Sequence, residues 1–374
     1  MKRETVVGPD FGLRWLDASG PNSDIVLSTR IRLARNLQGH AFASRARGAE
    51  REEILQQVRA AADQTQLGGG SMLDVPALSK LTRKLLLERH LISRELAGGD
   101  NDSPVTGSAL FAGAGGNIGV MVNEEDHLRL QGLLPGLRLQ DGYQTLDRLD
   151  EELGAHLAFA YHPEFGYLTS CPTNAGTGLR ASILVHLPGL VLTQELGKVL
   201  QGIGQVGLTF RGLYGEGSEV VGNFFQLSNQ TTLGKSEEDL IDHLQKIVHR
   251  VIEFETIARG VLMRDAPAVI EVKIWRAYGL LRYARSIGFD EVMNLLSGVR
   301  LGVSMNLLPG LRVYTLNKIM IFTQPAHLEQ AAGRSLTEAE SDLHRAAYVR
   351  QLLAGEGKVA DESLGGNGAD TASN

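Results

Sequence analysis

The chain has 374 residues, of which 43% are hydrophobic and 21% are charged, and its formal net charge at pH 7 is −6. This length exceeds that of one typical hydrophobic core, so we expect a large domain and a smaller one. The negative balance gives the whole protein no attraction to nucleic acid or to an anionic membrane, and the single cysteine excludes an internal disulfide or a multi-cysteine zinc site.

Alternating apolar and polar residues predict a half-buried strand over residues 24–36, with Arg30 and Arg32 on its polar face. Leucines at helical spacing predict helices at 48–66, 76–95, 143–159 and 189–201. Short apolar runs beside glycine or turn residues predict further strands at 120–122, 166–170, 207–211 and 223–228.

Helical character dominates the chain from Ser236 onward. Ser236 and Asp239 have the spacing of a capping box and start a long helix, which further helices follow at 268–286, 289–298 and 335–354. We therefore predict one domain at 24–258, a helical C-terminal domain at 259–354 and a disordered tail at 355–374, which is rich in Gly, Ser and Asp. A lone cysteine fits a reducing compartment, and the most apolar segment, residues 181–193, is too short to span a bilayer, so we expect a cytoplasmic protein.

Two familiar phosphate-binding motifs occur in the wrong context. Gly202–Gly207 matches G-x-G-x-x-G but follows a helical pattern and precedes a strand, the reverse of the dinucleotide-binding order. Residues 234–236 end like a P-loop, but Asn229 stands where the earlier glycine is needed. No zinc or calcium ligand spacing occurs in the sequence, so we predict no metal held by protein ligands.

Residues 171–182 combine the only cysteine with a glycine-relaxed turn and an arginine. Gly176 and Gly178 allow the backbone to approach a ligand closely, and Arg180 can bind two phosphate oxygens at once. We interpret this stretch as the floor of a phosphoryl-transfer site. The alternative is a buried Cys171 beside an ordinary loop.

Five arginines lie at predicted strand ends or beside glycine turns: Arg30, Arg32, Arg129, Arg180 and Arg211. A planar guanidinium binds two phosphate oxygens at fixed geometry, whereas an ammonium acts as a point charge. Their recurrence favours a convergent phosphate site; the alternative for each arginine is a solvated surface charge.

Carboxylates in two segments, Glu124 with Glu125 and Glu216, are candidates to face a cationic acceptor. A guanidinium nucleophile must be held bidentately and must lose a proton as it attacks, which suits two convergent carboxylates. A solvated acidic turn is the alternative.

Four stretches, taken in chain order, resemble the signatures of the ATP:guanidino phosphotransferases, the phosphagen kinase family: Ser28–Arg32, Asn123–Arg129, Cys171–Ser182 and Arg211–Glu216. Creatine and arginine kinases of this family carry a helical domain ahead of the first motif, whereas here 27 residues precede Ser28 and a helical extension follows residue 258. That layout resembles the family's bacterial protein-arginine kinases. The resemblance implies an α+β fold, in which helices flank an antiparallel sheet and a C-terminal helical domain follows.

The resemblance also implies a role for individual residues. Glu125 and Glu216 would grip the acceptor guanidinium and act as base, and Cys171 would lie against it as a thiolate. Mg²⁺ would bridge the phosphates of ATP. The residues implied to bind ATP are Ser28, Thr29, Arg30, Ile31, Arg32, His90, Arg129, Arg180, Ala181, Ser182, Ile183, Leu184, Arg211, Gly212, Leu213, Tyr214, Gly215 and Glu216.

A phosphoarginine-binding motif of the protein-arginine kinases, Arg-Asp-x-x-Arg-Ala, is matched incompletely at residues 341–346. Asp342 and Arg345 are present, but Ser341 replaces the first arginine, so a grip by two arginines is lost. The resemblance therefore implies catalysis more strongly than regulation by phosphoarginine.

We expect an ATP-dependent kinase that phosphorylates exposed arginine side chains of proteins in heat-shock and Clp proteolysis control. By resemblance, its partners would be the activator McsA, the ClpC unfoldase and the repressor CtsR, and its helical domain would support a homodimer or dock substrates. Two alternatives stay open: a kinase for free arginine or another small guanidine, and a non-catalytic phosphoarginine-binding adaptor.

Overall fold

The computed structural model describes residues 8, 10–43, 45–67, 69–212, 221–230 and 232–356. These residues form two compact units. The first unit contains the described residues of the ranges 1–185, 196–219 and 225–253, and the second contains those of 186–195, 220–224 and 254–374.

An eight-stranded sheet forms most of the first unit, in the order β2-β3-β4-β5-β1-β8-β10-β9, and β6 pairs with β7 in a separate hairpin. The strands are β1 (Val26–Arg35), β2 (Ser71–Asp74), β3 (Ala109–Ala112), β4 (Ile118–Val122), β5 (Leu128–Pro135), β6 (Tyr161–His162), β7 (Gly166–Tyr167), β8 (Leu179–His186), β9 (Leu208–Gly212) and β10 (Phe224–Asn229). Strand β1 is central and antiparallel to both β5 and β8.

Helices surround this sheet and make up most of the second unit. They are α1 (Gly48–Ala62), α2 (Lys80–Glu88), α3 (Leu139–Gly154), α4 (Pro188–Leu192), α5 (Leu196–Gln205), α6 (Glu237–Asp265), α7 (Pro267–Tyr283), α8 (Phe289–Ser304), α9 (Val313–Phe322), α10 (Pro325–Ala332) and α11 (Glu338–Glu356). None of the described helices combines the length and the apolar character needed to cross a membrane.

Helix α3 packs on one face of the central strands. Its own residues Leu146, Leu149 and Leu153 are fully buried. A Cβ added at Gly142 would lie 2.9 Å from Ile31 Cγ1, so the glycine lets α3 approach β1 closely. Because side chains alternate along a strand, α3 covers the face of Ile31, and Arg30 and Arg32 lie on the opposite face.

The structure confirms the predicted fold class, in which helices flank an antiparallel sheet and a helical region follows. It also confirms the helix start near Ser236, whose Oγ accepts from the Asp239 backbone N–H at 3.1 Å. Helix α11 continues past the predicted end at residue 354 to Glu356, and residues 357–374 of the predicted disordered tail lie outside the described residues.

Several predicted elements differ from the structure. The single helix predicted at 76–95 is wrong, because Ser79 caps the start of α2 and the helix ends before His90 adopts a positive φ of 60°. The helix predicted at 189–201 is divided into α4 and α5, with Gln194 at a φ of 61°. Of the strand predicted at 166–170, the structure forms only Gly166–Tyr167.

Five strands and two helices were not predicted: β2, β3, β5, β6, β8, α9 and α10. Strand β8 is buried along almost its whole length, so its apolar run lacks the alternation that marks a half-buried strand. Helix α9 is similarly buried around most of its circumference and lacks a polar face.

Candidate active site

Pairing of the central strands gathers arginines on one face of the sheet. Arg32 of β1 lies directly opposite Arg180 of β8, and Ala34 lies opposite Arg129 of β5. Paired residues of an antiparallel sheet share a face, and so do residues two apart on one strand. Arg30, Arg32, Arg129 and Arg180 therefore lie on the same face.

The fifth predicted arginine joins this face from the edge strand β9. Arg211 lies opposite Gln226 of β10, and Gln226 Oε1 accepts from Arg30 Nη2 at 3.2 Å. We call the five residues Arg30, Arg32, Arg129, Arg180 and Arg211 the arginine row. Arg30 and Arg32 lie inside β1 and share a face, as the strand predicted over 24–36 requires, rather than at a strand end.

Burial and mutual repulsion disfavour the positive charges of Arg30 and Arg32 within the arginine row. Burial and the charges of Arg180 and Arg129 lower the pKa of Arg30 to about 10. Burial also lowers the pKa of Arg32 far below its usual range, and the neighbouring arginines add to the shift. Arg32 Nε is buried without a hydrogen-bond partner among the described residues. A polyanion such as a chain of phosphates would supply both the missing charge and the missing acceptor.

A cleft of about 100 Å³ opens on this face. It is lined by Arg32, Ala34, Glu125, Arg129, Asn174, Gly178 and Arg180. The cleft therefore joins the middle of the arginine row to one carboxylate, Glu125, and to the glycine turn predicted as the floor of the site.

Two adjacent carboxylates hold Arg129 in the cleft. Glu124 Oε1 accepts from Arg129 Nη1 at 2.7 Å and its side chain is 1% exposed, whereas Glu125 Oε2 accepts from Nη2 at 2.5 Å and its side chain is 44% exposed. Burial alone would lower the pKa of Arg129, but Glu124, Glu125 and Asp126 outweigh it and raise that pKa. The buried Glu124 positions Arg129, and the accessible Glu125 faces an incoming ligand.

Asp126 connects this acidic turn to the cysteine loop. Its Oδ1 accepts from Asn36 Nδ2 and from the Ser170 backbone N–H, both at 2.7 Å. Cys171 follows directly and is half-buried, with its Sγ 3.0 Å from Thr173 Oγ1. Asn174 and Gly178, rather than Cys171, contribute this loop's lining of the cleft.

The turn before Arg180 depends on glycine and on a buried ion pair. Gly178 has a φ of 65°, and a Cβ there would lie 2.6 Å from the Ala34 carbonyl oxygen and from Arg35 Nη1. Arg35 Nη1 donates to the Thr177 carbonyl at 2.9 Å, while its Nη2 and Nε bind the Asp150 carboxylate at 2.7 to 3.1 Å. This network fixes the backbone from which Arg180 projects.

A second cavity, of about 30 Å³, adjoins the arginine row at Arg30. It is lined by Trp15, Ser28, Arg30, His90, Leu133, Ser182, Leu184 and Gln226. The rings of His90 and Trp15 meet edge to face at 5.7 Å, and burial together with Arg30 lowers the pKa of His90 to about 3. A neutral His90 is therefore maintained beside the arginines.

Trp15 and Gln226 were not among the predicted site residues, and Glu124 had no role assigned apart from Glu125. A lone tryptophan in a short N-terminal segment carries no motif. The role of Gln226 depends on the pairing of β10 with β9, which the sequence does not specify. Apart from the family resemblance, which gave a role to Glu125 alone, the burial of Glu124 is the signal that separates the two residues, and it requires the fold.

The remaining predicted residues have varied positions. Thr29, Ile31, Ala181 and Ile183 project from the sheet face opposite the arginine row. Thr29 Oγ1 donates to the Gly136 carbonyl at 2.6 Å, which supports the start of β1. Gly212 ends β9 directly after Arg211. Leu213, Tyr214, Gly215 and Glu216 lie outside the described residues.

Asp342 and Arg345 lie in the second unit, on α11. Arg345 is buried and donates to the carbonyls of Thr323 and Ile287, both at 2.9 Å, and to the Asp342 carboxylate. These bonds give Arg345 a structural role. Over the described ranges, no three His, Cys, Asp or Glu side chains are close enough together to hold a metal ion.

Comparison with known proteins identifies two regions of the chain. Residues 52–258 match the profile of the ATP:guanido phosphotransferase C-terminal catalytic domain, and residues 267–363 match that of the protein-arginine kinase McsB C-terminal domain. Among similar curated proteins is the protein-arginine kinase of Moorella thermoacetica, which is 44% identical over 91% of this chain and 97% of its own length. That of Brevibacillus brevis is 42% identical over 91% and 94%.

Two solved structures have a fold similar to that of this chain over about two thirds of its length. A lombricine kinase aligns with a TM-score of 0.55 at 24% identity, over 64% of this chain and 70% of its own. The duplicated taurocyamine kinase from Schistosoma mansoni, with bound transition state analog components, aligns with a TM-score of 0.57 at 29% identity, over 67% of this chain and 37% of its own.

Proposed function

Because the chain belongs to the ATP:guanido phosphotransferase family and, within it, to the protein-arginine kinases, we propose that it phosphorylates arginine side chains of proteins with ATP. The observation that supports this proposal best is the cleft that joins Arg32, Arg129 and Arg180 to Glu125. It offers cationic groups for a phosphoryl donor and a carboxylate for a cationic acceptor in one place.

The arginine row would bind the phosphates of ATP. Its guanidinium groups can accept the charge that spreads over the phosphoryl oxygens during transfer, and the strands hold them before substrate arrives. Ser28, Ser182 and the neutral His90 would bind the rest of the nucleotide in the adjoining cavity. Mg²⁺ would be carried by the phosphate oxygens and would neutralise part of their charge.

The acceptor guanidinium would bind at Glu125. An Nη atom of the acceptor attacks the γ-phosphorus, the bond to the β,γ-bridging oxygen breaks, and ADP leaves with that electron pair. The acceptor loses one proton as the P–N bond forms, and a carboxylate must take it. We assign that role to Glu125 together with Glu216, and an orienting role to Cys171.

Glu125 can offer both carboxylate oxygens to the acceptor once the ion pair of its Oε2 with Arg129 is exchanged. Phosphate oxygens that bind Arg129 would replace this carboxylate, while Glu124 keeps the guanidinium in position. Nucleotide binding would thereby free Glu125 for the acceptor. This exchange couples the donor and acceptor sites through one arginine.

The second unit would serve assembly and regulation. One face of α7 exposes Val269, Val272, Leu280 and Tyr283 around the exposed Arg276, and this largely apolar stripe is suited to a homodimer. Asp342 and Arg345 remain a proposed phosphoarginine pair, in which a phosphate would have to displace Asp342 from Arg345. From the family, we also propose roles in heat-shock and Clp proteolysis control, with McsA, ClpC and CtsR as partners.

The acceptor distinguishes this proposal from a small-guanidine kinase. Purified protein would be incubated with Mg-ATP labelled at the γ-phosphate and either an unfolded arginine-rich protein or free arginine. We expect acid-labile label on the protein acceptor and little on free arginine. Label on free arginine alone would favour the small-guanidine kinase, and nucleotide-independent binding of phosphoarginine without any transfer would favour an adaptor.

A further inference from the structure

Exposed apolar side chains of the first unit concentrate beside one loop. Among its described residues, the large exposed hydrophobic side chains are Tyr161, Phe165, Val206 and Leu233. Three of them flank the loop Cys171–Gly178, and they are 59%, 46% and 53% exposed at Tyr161, Phe165 and Leu233. We call these three residues the apolar rim. Exposed hydrophobic side chains that cluster beside a cleft are typical of a binding surface.

The hairpin β6-β7 attaches two rim residues to one side of the loop. Tyr161 pairs with Tyr167 across the hairpin, and their rings meet edge to face at 5.3 Å. The Tyr167 backbone N–H donates to the Gly176 carbonyl at 2.8 Å, and the Gly176 N–H donates back at 3.2 Å. Phe165 lies at the turn of this hairpin, stacked on His162 at 4.9 Å.

Leu233 lies on the other side of the same loop. A Cβ added at Gly176 would lie 2.9 Å from Leu233 Cα. Thr232 Oγ1 donates to the carbonyls of Ala175 and Thr173, at 2.7 and 3.2 Å, so this segment is fixed to the loop. Gly176 is therefore held between the hairpin and Leu233.

The loop itself is a wall of the cleft, through Asn174 and Gly178. Gly176 lies between these two residues in sequence, so each side of the rim is one backbone contact away from the wall. An extended polypeptide advances about 3.3 Å per residue, so a chain whose arginine enters the cleft reaches the rim within about five residues.

The charges beside the rim suit a cationic polypeptide. The hairpin and the segment 232–239 carry the carboxylates of Glu164, Glu237, Glu238 and Asp239, with Lys235 as their cation. Burial raises the pKa of Tyr167 and Arg35 opposes the shift, while Glu237 adds to it, so the charge of Glu237 acts on the hairpin.

We propose that the apolar rim binds apolar side chains within about five residues of the acceptor arginine, in a locally unfolded segment of the substrate protein. This inference rests on the proposed protein-arginine kinase activity and names its substrate class. Folded proteins bury most such side chains, so a rim that requires them selects unfolded segments. Rigid aromatic rings such as Tyr161 and Phe165 suit this role, because they lose little conformational entropy on binding.

Binding of two labelled peptides by fluorescence anisotropy tests the rim independently of catalysis. Both peptides carry one central arginine, with either leucines or serines three residues to each side. We expect the wild-type protein to bind the leucine peptide about tenfold more tightly, as burial of one or two apolar side chains allows. The triple variant Tyr161→Ser, Phe165→Ser, Leu233→Ser should bind both peptides with similar, weak affinity.

Val206→Ser is the matched control, because it removes an exposed apolar side chain of the same unit away from the loop. It should keep the tenfold preference, and the Kd for ATP and the Tm should be unchanged in both variants, which also shows that they fold. Equal affinity of the wild type for both peptides, or an undiminished preference in the triple variant, would contradict the proposal that the apolar rim binds apolar side chains of the substrate. If the triple variant loses the preference but neither the wild type nor any variant forms phosphoarginine, the proposed peptide binding by the rim stands. The proposed kinase activity is then wrong.

Discussion

At the scale of single residues, the arginine row stores unfavourable electrostatic free energy. Arginine stays charged at neutral pH, so the lowered pKa of Arg32 means that the folded protein holds a cation in a place that disfavours it. Arg32→Met should therefore raise the Tm of the nucleotide-free protein by about 2 °C or more. The same variant should lose the Tm increase that ATP gives the wild type. Differential scanning fluorimetry measures both, and exposed Arg148→Met is the control; a lower Tm in Arg32→Met would contradict the account.

His90 gives a pH dependence whose sign follows from its lowered pKa. The unfolded chain protonates this histidine near its ordinary pKa of about 6.5, whereas the folded state does so at about 3. Between these values the unfolded state binds more protons, so the free energy of unfolding falls as pH decreases from 6.5. Urea unfolding at pH 7.5 and 5.5 should show a loss about 1 kcal/mol larger for the wild type than for His90→Gln. Equal losses would mean that His90 is not held neutral.

Residue types in motifs were predictable, but their environments were not. The sequence singled out all five arginines, which lie on one face of the sheet, and Glu125, which lines the cleft, because their types and spacing match a phosphate site and a family. Residue type and spacing alone did not separate Glu124 from Glu125, which only the resemblance singled out, since the two carboxylates differ in burial, 1% against 44%. Trp15 was missed for a similar reason, because its contact with His90 arises from tertiary packing.

At the scale of elements, the turn before β8 should be intolerant of any side chain. Gly178→Ala places a Cβ 2.6 Å from the Ala34 carbonyl at a φ that alanine disfavours, so we expect a loss of about 2 kcal/mol in the free energy of unfolding. ATP affinity should fall as well, because Arg180 moves with this turn. Gly197→Ala in α5 is the control, since nothing lies within 4 Å of its added Cβ. Denaturant curves and nucleotide titration of both variants check this. A Gly178→Ala variant with the wild-type free energy of unfolding and ATP affinity would refute the role of the turn.

Strand prediction followed the alternation of residue types and not burial, because β1 is almost as buried as β8. Strand β1 alternates and was found, whereas β8 carries Arg180 inside a run of buried residues that resembles a loop followed by an apolar segment. The arginines were expected at strand ends or beside glycine turns. Their actual convergence depends on register, which places Arg180 opposite Arg32 and Arg129 opposite Ala34, and a one-residue shift would move them to the other face.

At the scale of the whole molecule, the exposed stripe of α7 predicts self-association. Val269, Val272, Leu280 and Tyr283 fall within one face of the helix, and the opposite face is buried at Ile270, Ile274, Ala277 and Leu281. Val269→Glu combined with Tyr283→Glu should convert a dimer to a monomer in light scattering. The exposed Glu271→Arg, outside the stripe, should remain dimeric. A wild-type monomer at micromolar concentration would reject the stripe as a dimer surface.

The central claim is that this cleft transfers phosphate from ATP to arginine side chains. Mass spectrometry of an unfolded protein substrate, after incubation with Mg-ATP and the chain, tests it most directly. We predict phosphoarginine with the wild type and with exposed Glu151→Gln, and a yield at least about 100-fold lower with Glu125→Gln, which cannot accept the proton. Absence of phosphoarginine from the wild type with McsA supplied, or an undiminished yield from Glu125→Gln, would contradict the account.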